Sequence, residues 1–212
     1  MAFIDLDDFL ARARLRLDPV EGRQRLSEGG DIEFLDAQGI ENIRAAAVLV
    51  GLIPRPEGPT VLLTHRPDTM PTHPGQVAFP GGKVDPADAD EVEAALREAN
   101  EEVGVDPHSV RLIGRGAPYI TGTAFRIVPV IGVLPADFVA KPDPEEVADV
   151  FETPLSFLFN GANHHRQKTH WRGQIRHYFE MPYEGHRIWG VTAGIIRALY
   201  ERLYEPEEET EA

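Results

Sequence analysis

The sequence contains no cysteine. This absence excludes a disulfide framework, a thiolate metal site and a cysteine nucleophile. The sequence also has no apolar run that approaches the roughly 18 residues needed to span a bilayer. No basic segment followed by a long apolar run opens the chain, so no secretory signal peptide is expected there. We therefore expect a cytoplasmic protein without a membrane partner.

Basic residues are scarce, since 21 Lys and Arg stand against 35 Asp and Glu and give a formal net charge of −14. A charge of this sign argues against broad nucleic-acid binding. A polyphosphate substrate would have to be met by a metal ion and by local basic side chains. The length of 212 residues favours one domain with additions. The strongly acidic end, residues 205–212, is expected to be a disordered tail.

The most informative stretch covers residues 79–105, where a loop rich in Gly, Pro and Asp precedes a predicted helix at 91–103. Asp88 or Asp90 can cap the start of this helix, and Gly104 can end it. A helical period places an apolar stripe on one face, where it should pack on a core. This stripe consists of Val92, Ala95, Leu96, Ala99 and Val103.

Three carboxylates, those of Glu98, Glu101 and Glu102, share one arc of the predicted helix within a single turn. Like charges at this spacing destabilise a helix by roughly a few tenths of a kcal/mol each unless something offsets them. A hard divalent cation such as Mg²⁺ or Mn²⁺ would do so. The alternative is a solvated acidic face, because most charge runs are surface. Arg97 lies four residues before Glu101 and can pair with it.

The glycine pair Gly81-Gly82 and the helix that follows resemble the signature of the Nudix hydrolases. The signature residues matched in the helical half are Arg97, Glu98, Glu101, Glu102, Gly104 and Val105. Two departures occur: the sixth position after Gly82 holds Asp88 instead of Glu, and eight residues instead of seven separate it from Arg97.

Residues 62–82 resemble the additional signature of the coenzyme A pyrophosphatase branch of this family, in which the longer loop and the Asp at 88 are habitual. The stretch that opens the last predicted helix, from Gly190, is similar to the end of that branch. The likeness covers about residues 44–204. The matched upstream residues are Leu62, Leu63, Thr64, Arg66, His73, Gly75, Gln76, Phe79, Pro80, Gly81 and Gly82.

The resemblance implies an α/β fold, the Nudix α/β/α sandwich with a mixed β-sheet between helices. The motif helix would cover one side and the last helix the other. We therefore divide the chain into an N-terminal helical arm at 1–42, a Nudix hydrolase domain at 43–204 and the tail. In this family the glutamates at 98, 101 and 102 hold Mg²⁺ or Mn²⁺, and the arginine at 97 orients one of the glutamates.

Residues outside the helix also receive roles from the resemblance. Late in the Nudix fold, a loop glutamate often serves as general base or as an extra metal ligand, and Glu146 (or Glu145) is the candidate. The alternative is that these two glutamates only solvate a loop. Arg66 and His73 are expected to bind substrate together with Gly81 and Gly82. A structural role for His73 is an equal alternative.

The implied activity is metal-dependent hydrolysis of the diphosphate of coenzyme A or its acyl derivatives, which gives 3′,5′-ADP and a 4′-phosphopantetheine product. Two alternatives stay open. One is another nucleotide substrate, such as NADH, ADP-ribose, a dinucleoside polyphosphate or an oxidised nucleotide. The other is a nucleotide-binding module without catalysis. A small molecule is thus the expected partner, nucleic acid is not expected, and a homodimer is left open.

Elsewhere, hydrophobic periodicity and turn residues place the remaining elements. Pro129 is expected at a bulge or an edge of the sheet. The basic segment around His164, His165 and His170 is expected to be a solvated loop, with phosphate contact as the alternative. The other predictions are a helix at 1–18, an irregular connection at 21–41, strands at 44–53, 60–64, 76–79, 110–114 and 124–134, a hairpin of 176–181 with 186–189, and a helix at 190–204.

Overall fold

The computed structural model describes residues 4–69, 74–171 and 173–205. The predicted acidic tail lies outside the described residues except for Glu205. The helices are α1 Leu6–Arg16, α2 Ile32–Gln38, α3 Glu91–Val103, α4 Leu155–Leu158 and α5 Gly190–Tyr204. The strands are β1 Gly29–Gly30, β2 Arg44–Arg55, β3 Gly58–His65, β4 Val77–Ala78, β5 Gly81–Lys83, β6 Arg111–Arg115, β7 Tyr119–Ile120, β8 Phe125–Val133, β9 Asp149–Pro154, β10 His165–Trp171, β11 Gln174–Tyr183 and β12 His186–Trp189.

Strand β2 is the centre of the larger sheet. It pairs in parallel with β8, antiparallel with β3 and antiparallel with β5, so the sheet is mixed as predicted. Strands β2 and β3, which contain the strands predicted at 44–53 and 60–64, form an antiparallel hairpin in which Leu52 pairs with Val61. The main path of the sheet runs β1-β7-β8-β2-β3-β4, with β6 on β8 and β9 on β3.

Alternate side chains of the sheet enter different layers, because successive residues of a strand point to opposite faces. On one face, Leu49 and Leu62 pack in a buried cluster with Val103 of α3. On the other face, Val50 and Leu63 pack with side chains of α1 and α5. The predicted α/β/α sandwich, with the motif helix and the last helix on opposite sides, is therefore confirmed.

Helix α3 has the predicted bounds. Of the two candidate caps, Asp90 is the one used: its Oδ1 accepts the N–H groups of Val92 and Glu93 at 2.9 and 3.0 Å. Gly104 ends the helix at a φ of 71°, a backbone conformation that favours glycine, and its N–H donates to the carbonyl of Asn100. The ends of this helix were thus set by local chemistry that the sequence displays.

The N-terminal region is more ordered than predicted. The expected irregular connection contains β1, which pairs in parallel with β7, and the short helix α2. Leu35 of α2 and Ile120 of β7 are both buried in one cluster, and this tertiary contact stabilises a helix too short to show a clear period. Helix α1 buries Phe9 and Ala13 in the main core. The division of the chain at residue 42 stays a prediction.

The basic segment predicted as a loop is a strand, β10, which pairs antiparallel with β11. The hairpin of β11 and β12 is confirmed, and Glu184 and Gly185 turn it with positive φ angles of 47° and 87°. Side chains from His165 to His170 are all exposed, so no alternation of apolar residues marks the strand. These three strands form a smaller sheet beside α5.

Pro129 was expected at a bulge or an edge; it lies inside the larger sheet, so the edge alternative was wrong. It is in β8 and aligns with Val48 of β2 on one side. On the other side the neighbour of β8 changes from β7, which pairs with Ile127, to β6, which pairs with Val130. A proline is tolerated there because the ladder is interrupted at its position. Its carbonyl still accepts the N–H of Gly116 at 2.8 Å.

The helices in the described part of the chain are all too short or too polar to cross a membrane.

The carboxylate of Asp18 binds the backbone of the loop that follows α1. Its carboxylate is buried, with 2% exposure of the residue, and accepts the N–H groups of Arg25 and Leu26 at 2.7 and 2.9 Å. Burial acts to raise the pKa of Asp18, but these hydrogen bonds and the Arg25 guanidinium outweigh burial and hold the pKa below its ordinary value. The ionised form of Asp18 therefore stabilises the folded chain.

Asp18→Asn is expected to lower the free energy of unfolding at pH 7 by about 1–3 kcal/mol, because buried N–H donors would face an amide. The unfolded carboxyl binds protons more readily than the folded one, so stabilisation by Asp18 is present above a pH of about 3.9 and is lost as pH falls through the folded pKa. Urea unfolding of both proteins should show a constant difference from about pH 7 to pH 5, and this difference should shrink as the pH falls below about 4. Glu41→Gln, at an exposed position, is the control.

Candidate metal centre

Three carboxylates from two parts of the chain meet beside the glycine loop. Glu98 and Glu102 come from α3, and Glu146 comes from the connection between β8 and β9. One oxygen from each lies within 4.8 Å of the others, the only such group of three or more possible ligands among the described residues. Glu102 is buried, Glu98 is half-buried and Glu146 is exposed. The cluster therefore has a closed end at Glu102 and an open end at Glu146.

The connection that carries Glu146 is tied to the end of α3. The N–H of Asp143 donates to the carbonyl of Glu102 at 2.9 Å. A turn then follows, in which the N–H groups of Glu146 and Val147 donate to the carbonyl of Asp143 at 3.1 and 2.8 Å. Val147 is buried against the core under α3. These contacts bring Glu146 into the cluster, whereas its neighbour Glu145 does not join it.

The two glycines allow the glutamates to lie against the backbone. The N–H of Gly81 donates to Oε2 of Glu102 at 3.1 Å. A Cβ on Gly82 would lie 2.5 Å from the carboxylate of Glu98, and a Cβ on Gly81 would lie 2.4 Å from the carbonyl oxygen of Ala47. Gly81 must therefore lack a side chain, because its Cβ would meet the backbone, whereas a methyl group at Gly82 would displace the carboxylate of Glu98. The substrate role predicted for these glycines stays a prediction.

The electrostatics of the cluster oppose full ionisation. Burial raises the pKa of Glu102 to about 7, although the N–H of Gly81 acts against this rise. Burial also raises the pKa of Glu98, despite its hydrogen bond with Arg97. Neighbouring carboxylates add to both effects. Oxygen ligands from crowded carboxylates are the set that hard divalent cations prefer, so these residues fit Mg²⁺ or Mn²⁺.

Arg97 has all five guanidinium N–H groups engaged. Nε and Nη2 donate to Oδ1 and Oδ2 of Asp88, each at 2.9 Å, and Nη2 also donates to the carbonyl of Lys83 at 3.1 Å. Nη1 donates to Oε1 of Glu98 at 3.1 Å and to Oε2 of Glu101 at 3.0 Å. The predicted pair of Arg97 with Glu101 is confirmed. The double contact with Asp88 was not predicted.

Glu101 lies apart from the cluster in this arrangement. Its side chain is 54% exposed, and its carboxylate pairs with Arg97. The sequence pattern cannot separate Glu101 from Glu98 and Glu102, because all three share one arc of the helix. The metal role predicted for Glu101 stays a prediction, and the geometry favours Glu146 as the third ligand.

Arg66 follows β3 and lies near the cluster. Its positive charge acts to lower the pKa of Glu102, and its backbone N–H donates to the carbonyl of Gln76 at 3.0 Å. A positive charge therefore lies near Glu102, and the substrate role predicted for Arg66 stays a prediction. His73, the other basic residue of the upstream stretch, lies outside the described residues, so its substrate role stays a prediction.

The histidines of the basic segment do not gather into a metal site in the described part of the chain. His164 is buried, and its Nε2 donates to the carbonyl of Leu158 at 2.7 Å, beside the ring of Tyr200. His165 and His170 lie exposed on β10. Two of these histidines thus belong to β10, and the third, His164, is buried just before the strand begins.

Comparison with known proteins places these features in a family. Residues 43–172 match the NUDIX domain. A protein of Enterobacter sp. (strain 638), called an uncharacterized Nudix hydrolase NudL, is 43% identical over 196 residues, which cover 92% of this chain and 93% of the relative. The protein of the same name from Escherichia coli (strain K12) is 40% identical, with the same coverage.

Solved Nudix structures are also similar. The crystal structure of a Nudix hydrolase from M. smegmatis, RenU, has a TM-score of 0.43 and 26% identity, with 52% of this chain and 70% of that chain covered. A C. elegans Ap4A hydrolase has a TM-score of 0.45 and 22% identity, with 52% of this chain and 80% of that chain covered.

Gly82→Ala is expected to weaken Mn²⁺ binding by about tenfold or more, because the new methyl group would displace the carboxylate of Glu98. Gly29→Ala is the matched control, since a Cβ there meets no atom within 4 Å. Titration of Mn²⁺, followed by electron paramagnetic resonance, measures both affinities. Equal Mn²⁺ affinities for the two folded variants would contradict the placement of Glu98 against the loop.

Proposed function

Because this chain belongs to the Nudix hydrolase family, we propose that it cleaves the diphosphate bond of coenzyme A or of its acyl derivatives. The products would be 3′,5′-ADP and 4′-phosphopantetheine or its acyl form. Members of the family use divalent ions such as Mg²⁺ or Mn²⁺ and act on small nucleotide substrates. The observation that carries the proposal is the meeting of Glu98, Glu102 and Glu146 beside the glycine loop.

The choice of coenzyme A is supported by the stretch at 62–82, which resembles the signature of that branch. Arg66, one of its residues, lies close enough to Glu102 to lower the pKa of its carboxyl. The loop from Arg66 to Gln76 is closed by a backbone hydrogen bond and leads through β4 into Gly81. Two described residues of that stretch, Arg66 and Gly81, therefore lie beside the candidate metal centre.

The ligand set fits Mg²⁺ or Mn²⁺, with Glu98, Glu102 and Glu146 as the residues that would hold it. When bound, the ion would offset the charge of the diphosphate and lower the pKa of a coordinated water. Glu102 is best suited to be a metal ligand with a fixed position, because it is buried and hydrogen-bonded to Gly81. Arg97 orients Glu98 through Nη1.

Proton transfer is also assigned to Glu146, which offers one carboxylate oxygen to the cluster and keeps its second oxygen to act as the base. Its carboxylate is exposed at the open end of the cluster, where a water molecule can approach. Glu146 takes a proton from the attacking water, the water oxygen forms a bond to phosphorus, and the bond from phosphorus to the bridging oxygen breaks. The second phosphate leaves with the electron pair of that bond. Arg66 binds the diphosphate oxygens with its guanidinium.

Glu102→Gln is expected to reduce turnover of coenzyme A by about 100-fold or more, because a ligand and its charge are lost. Glu101→Gln should reduce it by less than about tenfold, because this carboxylate lies outside the cluster. Purified proteins with Mg²⁺ and with Mn²⁺ are compared by chromatography of 3′,5′-ADP, and circular dichroism verifies their fold. Near wild-type turnover of Glu102→Gln would remove the metal-site assignment.

The substrate is tested with a panel of coenzyme A, acetyl-coenzyme A, NADH, ADP-ribose and a dinucleoside polyphosphate at equal concentrations. We expect kcat/KM for coenzyme A or its ester to exceed the others by about tenfold or more. Glu102→Gln serves as the control for contaminating activity. A higher kcat/KM for another nucleotide would overturn the choice of substrate. Binding without turnover of every compound would support a module without catalysis.

A further inference from the structure

We propose that Asp88 is a positioning residue of the metal centre, which fixes the guanidinium of Arg97 so that Nη1 holds Glu98 inside the cluster and Glu101 outside it. This inference rests on the proposed function only in requiring that the cluster binds a divalent cation. It does not depend on which nucleotide is the substrate.

Asp88 is anchored before it meets Arg97. Its side chain is only 3% exposed, so its charge is held away from water. Oδ2 accepts the N–H of Asp85 at 2.7 Å, and the N–H of Asp88 donates to the carbonyl of Asp85 at 3.0 Å. The carboxylate is thus set by a short turn of the loop. A buried, backbone-anchored carboxylate provides a fixed point for a neighbouring cation.

Asp88 binds one side of the planar guanidinium of Arg97. Nε and Nη2 of Arg97 meet the two oxygens of Asp88, each at 2.9 Å. Because the guanidinium is planar, fixing this side also fixes the direction of Nη1. Nη1 is the nitrogen that donates to Glu98 and Glu101. The position of Asp88 is therefore passed to Glu98 through one inflexible group.

The departure from the family signature also has a physical account. Counted back from Arg97, Asp88 lies one position before the signature glutamate, and its side chain is shorter by one methylene. The turn at 85–88 carries the shorter side chain to the guanidinium. A glutamate at 88 would extend the carboxylate by about 1.5 Å, the length of one C–C bond, and would displace Arg97. The residue type and the loop length are therefore matched.

Three variants test this inference by Mn²⁺ affinity measured without substrate. Asp88→Asn turns an amide NH₂ toward the donors of Arg97, and Asp88→Glu moves the carboxylate. Each should weaken Mn²⁺ binding about 10- to 100-fold, the range for residues that orient metal ligands. Asp85→Asn is the control from the same turn, because an asparagine can still accept the N–H of Ala87. Its affinity should stay within about twofold of the wild type.

A double-mutant cycle separates positioning from a general loss of stability. In an Arg97→Lys background, Asp88→Asn should weaken Mn²⁺ binding by less than about threefold, because the fork through which Asp88 acts is gone. Thermal unfolding of each variant is measured in parallel. An unchanged affinity of Asp88→Asn, or an equal loss in both backgrounds, would overturn the inference.

The outcomes also distinguish this inference from the proposed function. If wild-type protein binds Mn²⁺ and Glu102→Gln abolishes that binding, the cycle decides the role of Asp88 even when coenzyme A is not hydrolysed. If the wild type shows no Mn²⁺ binding that depends on Glu102, both the metal centre and the role of Asp88 are overturned.

Discussion

The repulsion among three carboxylates, of which Glu102 is buried, is the constraint on which the arrangement of this protein depends. One oxygen from each lies within 4.8 Å of the others, and burial makes the ionised forms of Glu98 and Glu102 costly. The chain supplies a backbone N–H from Gly81, one guanidinium N–H from Arg97 and the more distant charge of Arg66. These groups orient the carboxylates but leave an excess of negative charge, which is the charge that the proposed divalent cation would offset.

Strand β2 contacts both the glycine loop and helix α3, the two elements that meet at the cluster. Strand β2 aligns Val48 with Gly81 and Ala47 with Gly82, which fixes the glycine loop beside β2. Ala47 is also buried against α3, together with Ala95. Small residues at these positions let the helix and the loop approach until Glu98 and Glu102 touch the backbone. The packing of small residues thus sets the distance between α3 and β5, and this distance determines the geometry of the cluster.

Sequence patterns predicted the parts of the site that local chemistry determines. A 3.6-residue period, the Asp90 cap and Gly104 set the bounds of α3, and the period placed Glu98 and Glu102 on one arc. The pattern could not rank Glu101 below them, because the difference comes from Arg97 and the loop. Tertiary contacts also decide between Glu145 and Glu146, create α2, and give β10 its partner. The proposed role of Asp88 depends on the turn at residues 85–88, which hydrophobic periodicity cannot predict.

The charges around Arg97 explain why this residue cannot replace the metal ion. One positive charge is shared by three carboxylates, those of Asp88, Glu98 and Glu101, so the network keeps an excess of negative charge. Two of the five N–H groups are directed to Asp88, and another is directed to the carbonyl of Lys83. Because most of its N–H donors face away from the cluster, Arg97 orients the carboxylates more than it neutralises them. In the proposed function, neutralisation is therefore left to a divalent ion, and Glu146 is the exposed member of the cluster that would hold it.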